Sequence, residues 1–201
     1  MQKMDTLECH LVEKARNGDS RAFDKLFLQH QKYLFNLMAQ LTGDRAWADD
    51  LTQEALILAY QKISSFRHAS SFRTWLSKIA INLFRNKYRC RPRHSSLCLE
   101  ELRIPSCEDG PERTVIKREL QWCIAHNLQQ HIPKNYRVVL VLRDLHRLSY
   151  KEISEILGWS MSRTKTSLHR ARQMFRSQFI DGKCKAFAEN YLCICEGILD
   201  L

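Results

Sequence analysis

Nine basic residues stand between Lys62 and Arg93: Lys62, Arg67, Arg73, Lys78, Arg85, Lys87, Arg89, Arg91 and Arg93. No Asp or Glu interrupts them, and Phe66, Phe72 and Trp75 lie among them. Rings stack on unpaired bases and cations hold phosphates, so this mixture suits capture of single-stranded nucleic acid. Phe72 and Trp75 also share an apolar face with Leu76, Ile79, Ala80 and Leu83, and core packing is the plainer reading for those two. A second basic stretch, Ser160 to Ile180, carries Arg163, Lys165, Arg170, Arg172 and Arg176, again without an acid. Arg and Lys can donate to guanine edges, and Thr166 or Ser167 can serve several bases. Asp49, Asp50, Gln53 and Glu54 are a different kind of cluster. They fall within two turns of one helix, with Asp50 and Glu54 on one face. Such a like-charge pair costs isolated helix stability, which a basic partner offsets; a solvated acidic face is the bland alternative.

The elements that must position these residues are helical throughout. Gly and Pro are scarce (6 and 4) and no long apolar/polar alternation marks a strand. Leu7 to Arg16 predicts a short helix, followed by a turn at Asn17-Gly18-Asp19-Ser20. Phe23, Leu26, Phe27, Leu34, Leu37, Met38 and Leu41 form one apolar face at helical spacing. Gly43 stops that helix and Asp44 caps the next, which runs to about Ile63. A loop from Ser64 to Ser70 precedes the basic, aromatic helix, which ends before Pro92. Periodicity then breaks from Arg93 to about Pro111, a stretch with Pro105 and Pro111 that follows Pro92, with five acids from Glu100 to Glu112; it reads as a linker. In the second half Pro133 opens a helix. Ser149-Tyr150-Lys151-Glu152 is a capping box, Gly158 ends a short helix, and Ser160 or Ser162 caps a longer basic one. Helix, tight turn and basic helix make a helix-turn-helix, whose second helix fits a major groove. The fold class expected is all-α, two helical domains joined by a flexible linker. The divisions are 1–93, a linker at 94–111, 112–180, and a Cys-containing tail at 181–201.

The bulk properties agree with a nucleic-acid partner. The chain has 201 residues and a formal net charge of +10, which favours a polyanion. No apolar run reaches transmembrane length, so stable membrane insertion is not expected. Eight Cys in a chain with no export signal read as reduced thiols in the cytoplasm. Cys184, Cys193 and Cys195 in the tail are weak soft-metal candidates with no fourth ligand placed, so no metal site or cofactor is assigned. A redox switch and a packed amphipathic helix are the other readings of that tail. No Walker-type loop, His-Glu-x-x-His or carboxylate–His cluster is present, so no catalytic residue is named and an enzyme is not expected.

Three stretches together resemble the sigma-70 family of RNA polymerase sigma factors, in its extracytoplasmic-function group. Leu41-Thr42-Gly43-Asp44 leading into Ala48-Asp49-Asp50-Leu51-Thr52-Gln53-Glu54 resembles the acidic helix that docks on the polymerase. Ser71-Phe72-Arg73-Thr74-Trp75-Leu76 through Ile79-Ala80-Ile81-Asn82 resembles the strand-melting helix. Leu148-Ser149-Tyr150-Lys151-Glu152-Ile153 through Leu168-His169-Arg170-Ala171-Arg172 resembles the promoter-reading helix-turn-helix. The likeness covers Val12 to Arg93 as region 2 and Glu112 to Phe179 as region 4. It implies a subunit that directs promoter recognition in transcription initiation, in a stress or envelope response. Its partners would be core RNA polymerase (through the β′ clamp helices and the β flap), promoter DNA, and an anti-sigma factor able to hold it at the inner membrane. It implies polymerase binding by Asp49, Asp50, Gln53 and Glu54. Contacts to the −10 element fall to Phe66, Arg67, His68, Ser70, Arg73, Lys78, Asn82, Arg85, Asn86 and Arg89. Contacts to the −35 element fall to Tyr150, Arg163, Lys165, Thr166, Ser167, His169, Arg170 and Arg172. Two departures from the family pattern bear on −35 preference: Arg163-Thr164 stands where Thr-Val is usual, and Ser167 where Arg is usual. Thr164 is also a poorer core residue. The rival reading is a helix-turn-helix regulator that is not a polymerase subunit; it leaves the first domain unexplained.

Overall fold

The computed structural model describes residues 6–88 and 123–181 of the chain. The linker at 94–111, Arg89, and the tail with Cys184, Cys193 and Cys195 lie outside the described residues. The described part is helical. α1 (Thr6–Arg16), α2 (Ser20–Thr42), α3 (Arg45–Lys62), a 3₁₀ turn (Ile63–Ser65) and α4 (Phe72–Tyr88) build the first half. A helix across 123–130 (α5), α6 (Lys134–Leu140) running into a π-type turn (Val141–Leu145), α7 (Tyr150–Leu157) and α8 (Met161–Asp181) build the second.

Local chemistry sets the ends of these helices. The Asp19 carboxylate accepts from Ala22 N–H, and that of Asp44 from Trp47 N–H, each satisfying a donor the helix itself leaves open. Gly43 closes α2 at φ 67°, a left-handed conformation that side chains resist. The capping box at the start of α7 is complete: Ser149 accepts from Glu152 N–H, and the Glu152 carboxylate accepts from Ser149 N–H at 2.8 Å. Gly158 ends α7 in the left-handed region, and Ser160 accepts from Arg163 N–H at the start of α8.

One core runs through both halves. Leu26, Leu34, Leu37, Met38, Leu51, Leu76, Ile81 and Phe84 are buried in the first, and Val138, Leu142, Ile153, Ile156, Leu168, Ala171 and Phe175 in the second. Each large apolar side chain so buried stabilises the fold by about 1.5–3 kcal/mol. Thr164 is also buried, and its hydroxyl donates to the Ser160 carbonyl at 3.0 Å. The poorer core residue is thus accommodated by an internal hydrogen bond.

The halves pack directly on each other. Arg137 is buried and donates to the carbonyl of Leu41 at 3.1 Å. Gln129 donates to the carbonyl of Gln40 at 2.8 Å. The open carbonyls in the last turn of α2 are therefore capped from α5 and α6. The Nε2 atom of His146 lies 2.8 Å from Oε1 of Gln40, and its ring meets Tyr33 edge-on. The π-type turn brings His146 to this position, since its N–H bonds back to the Val141 carbonyl.

His146 carries a pH dependence. Burial, with Arg73 nearby, pushes its pKa down to about 4 from 6.5. The folded state keeps the ring neutral while the unfolded chain takes up a proton below 6.5. Stability is therefore full above pH 6.5 and declines as pH falls toward 4, with a slope of up to about 1.4 kcal/mol per pH unit from this group. Burial lowers His30 as well, against the pull of Glu8, and it adds in the same direction. Urea midpoints measured from pH 7 to pH 4.5 should fall, and His146→Asn should remove part of the slope.

Candidate polymerase and promoter surfaces

The acidic strip lies on the outer face of α3. Its inner face, with Ala48, Leu51, Ala55, Leu56 and Ala59, is buried, so the 3.6-residue period turns the acids outward. Asp49, Asp50 and Gln53 are exposed and Glu54 is half-buried. Gln53 donates to Asp49 at 3.1 Å, and Lys87 of α4 pairs with Glu54. Among the described residues Asp50 carries no ion pair. Ile57 and Tyr60 continue the same face and are exposed.

The nine described residues of the ten expected at the −10 element do not share one surface. Arg67, Lys78, Asn82 and Asn86 are exposed. His68 and Ser70 are half-covered, and His68 is tied to Glu13 of α1 at 2.6 Å. Phe66 departs from the expectation. It is 2% exposed and packs its ring against Phe72 and Trp75, with centroids 5.8 and 5.2 Å away. The 3₁₀ turn before it aims the ring inward, so it supports the loop and offers no face to a base. Phe72 is buried as well, and Trp75 half-buried. Arg73 lies over the Tyr33 ring at 3.9 Å, turned toward the joint between the halves. Arg85 faces that joint too: its Nη1 is 3.5 Å from the Leu157 carbonyl, and its guanidinium is 5.6 Å from the Trp159 ring. Burial, and then the neighbouring charge of Arg163, pull Arg85 below its ordinary pKa.

On α8 the buried stripe is Thr164, Leu168, Ala171 and Phe175. The opposite face leaves Arg163, Lys165, Thr166, His169 and Arg170 exposed and Ser167 half-exposed. Arg163, Thr166, Ser167 and Arg170 line a cleft shared with Pro133, Tyr136 and Trp159. Trp159 was not singled out from the sequence. Its place directly after the helix-ending Gly158 is the signal that it sits in the turn. Arg163 rests 4.3 Å from its ring centroid, which holds the guanidinium at the cleft edge. Tyr150 is flanked by Arg143 at 4.9 Å and Lys165 at 5.8 Å.

Arg172 is held inward. It was expected at DNA, but its Nε donates to Asp144 at 3.1 Å, and the Asp144 side chain is fully buried. The pair ties α8 to the π-type turn. Arg172→Ala removes two charge-assisted hydrogen bonds from a buried carboxylate and should cost about 2 kcal/mol of stability. Thermal denaturation checks this, and the −35 sequence preference of whatever remains folded should be unchanged.

No group of three or more His, Cys, Asp or Glu among the described residues could hold a metal ion. No helix among them is long and apolar enough to cross a membrane.

Comparison with known proteins agrees with this geometry. Residues 26–94 match Sigma-70 region 2, and residues 125–175 match Sigma-70, region 4. The first match gives the first half an identity that a simple helix-turn-helix regulator does not have. The RNA polymerase sigma-H factor of Pseudomonas aeruginosa is 33% identical over 81% of this chain and 89% of its own length. The ECF RNA polymerase sigma-E factor of Escherichia coli K12 is 30% identical over 81% of this chain and 89% of its own. The solved structure of CnrH in complex with the cytosolic domain of CnrY aligns with a TM-score of 0.64 at 22% identity, covering 85% of this chain and 96% of that one. The sigma factor RpoE bound to the anti-sigma factor NepR from Bartonella quintana aligns at 0.59 and 21% identity, covering 77% and 94%. Two helical units in this order, an acidic strip, a basic helix and a helix-turn-helix all lead to one conclusion: the chain belongs to the sigma-70 family of RNA polymerase sigma factors, in its extracytoplasmic-function group.

Proposed function

We propose a division of labour for this sigma factor over three surfaces. The strip of Asp49, Asp50, Gln53 and Glu54 docks on core polymerase. The polar face of α4 (Lys78, Asn82, Arg85 and Asn86), with Arg67 at its entrance, holds the non-template strand of the −10 element. The outer face of α8 reads the −35 element through Arg163, Ser167, His169 and Arg170, with Lys165 at the phosphates. The observation that carries this reading is the sorting of charge: Asp49, Asp50 and Glu54 line the outer face of α3, while Lys78 on α4 and Arg163, Lys165, His169 and Arg170 on α8 are exposed.

The chemistry follows from that sorting. Strand opening costs pairing and stacking, and cations on α4 offset part of that cost at the phosphates. Arg170 and Arg163 stand in an open cleft where a guanidinium can reach a guanine edge. The protein works in the cytoplasm, where its polymerase is, as a non-enzymatic subunit serving a stress or envelope response. An anti-sigma factor that covers these surfaces restrains it; the bound state of the RpoE–NepR structure supports this by likeness. Run-off transcription with core polymerase on genomic fragments tests the reading. Discrete transcripts that depend on this chain are expected, and none on any fragment would overturn it.

A further inference from the structure

The loop between the 3₁₀ turn and α4 rests on a histidine at each end. The His68 ring centroid lies 4.8 Å from that of Phe66, and the His30 ring of α2 lies 5.2 Å from that of Phe72. Both histidines are held from α1. Oε1 of Glu13 is 2.6 Å from Nε2 of His68, and Oε1 of Glu8 is 2.9 Å from Nε2 of His30. Leu11, Val12 and Ala15 already anchor α1 in the core. Glu13 is exposed, and exposed pairs contribute little to stability. Its bond to His68 therefore matters for the shape of the loop more than for the survival of the fold.

His68 is where that shape is strained. Its φ is 55°, in the left-handed region where a side chain crowds the backbone. Such a conformation persists only where the surroundings over-determine it. Two groups do so here: the buried Phe66 ring and the Glu13 carboxylate. A carboxylate can only accept, so Nε2 of His68 donates. This hydrogen bond is the main cause that holds the Glu13 carboxyl below its ordinary pKa. Arg16 donates to the same oxygen at 2.9 Å and fixes it from within α1. Arg67 and Ala69, on either side of His68, are exposed. The directions in which they leave the backbone follow from the turn at His68, so the exposed rim of the loop is shaped from α1.

We infer that Glu13 is a positioning residue for the −10 element: it meets no DNA itself, and by holding His68 in the left-handed conformation it sets which bases the loop accepts. The inference rests on the loop and the polar face of α4 being the −10 surface. A loop held in one conformation discriminates, because a wrong base leaves polar groups unpaired. A loop free to rearrange accommodates several bases. Releasing Glu13 should thus relax preference while the cations of α4 still hold the phosphates, with total affinity and its salt dependence kept.

The experiment assembles the full-length chain with core polymerase and offers it a pool of short single strands of random sequence. The bound fraction is sequenced for wild type, Glu13→Ala, Glu13→Gln, His68→Asn and the double variant Glu13→Ala with His68→Asn. Wild type should enrich one motif. Glu13→Ala should lose about tenfold in preference at the positions the loop meets, with helicity, thermal midpoint and total binding to the pool unchanged. Glu13→Gln keeps an acceptor oxygen and should keep the preference. Asparagine tolerates the left-handed region but is too short to reach Glu13. His68→Asn should therefore match Glu13→Ala, and combining the two should add nothing. Wild-type preference in Glu13→Ala overturns the inference, as does a uniform loss across all sequences. Additive losses in the double variant also overturn it, since Glu13 would then act other than through His68. A wild type that enriches no sequence would instead strike the −10 reading itself, so the two failures are distinguishable. Should Glu13→Ala lower the midpoint, His68→Asn decides, because it leaves α1 intact.

Discussion

Asp50→Lys leaves the chain folded and unable to assemble with core polymerase. Asp50 is exposed on α3 and has no ion-pair partner among the described residues, so reversing its charge breaks nothing inside the protein. In an isolated helix the change removes a like-charge repulsion with Glu54 and stabilises slightly. At a basic docking surface the new ammonium meets like charge, which costs several kcal/mol and corresponds to an affinity loss on the order of 100-fold or more. Glu54→Lys is the less clean variant, because Glu54 already pairs with Lys87 of α4, and reversal would place two ammonium groups together inside the first domain. Co-elution with core polymerase, alongside a urea midpoint for the free variant, checks the result. An unchanged elution profile at an unchanged midpoint would sink the docking assignment. The acids of α3 would then be a solvated surface only.

What could be read ahead of the structure was the part settled by near neighbours. Asp19, Asp44 and Ser149 each find their hydrogen-bond partner three residues on, so a short window of residue types contains the whole interaction. The inward stripe of Leu168, Ala171 and Phe175 on α8 follows likewise from the helical period. What could not be read was settled at a distance. Arg137 and Leu41 are 96 residues apart, and His146 and Gln40 are 106; no local pattern tells a lone Gln or Arg where it will find a carbonyl. The linker signal even argued for independent halves. Phe66 and Arg172 are packed inward for a related reason. Both were assigned by the company they keep in sequence, a basic loop and a basic helix. Their surroundings are set by other elements: the Phe72 and Trp75 rings for one, and the buried Asp144 for the other. Trp159, whose ring lies beside both Arg85 and Arg163, stands in a turn that carries no other mark.

Arg170→Ala relaxes −35 sequence preference. Arg170 is exposed, one turn beyond Thr166 and Ser167, and lines the cleft beside the helix-turn-helix turn. A guanidinium there can donate two parallel hydrogen bonds to one guanine, and losing such a pair costs about 1–3 kcal/mol of discrimination against the wrong base, roughly 5- to 150-fold in relative affinity. Lys165 and Arg176 are the contrast. A cation that meets only phosphate weakens binding to every sequence alike and lowers the salt slope by about one when removed. The measurement is competition between promoter variants that differ at single −35 positions, with the chain bound to core polymerase, at two salt concentrations. Arg170→Ala should flatten preference at one position and barely alter the mean salt slope. Lys165→Ala should do the opposite. Ser167 sharpens the test, because it stands where the family usually carries Arg, so this chain has one fewer guanidinium with which to read the groove. Arg163 is held near that ground by Trp159, and in Arg163→Ala a second −35 position should lose preference independently of the first. If both variants instead weaken all sequences equally, α8 holds the backbone, and the −35 bases are read through the shape of the duplex.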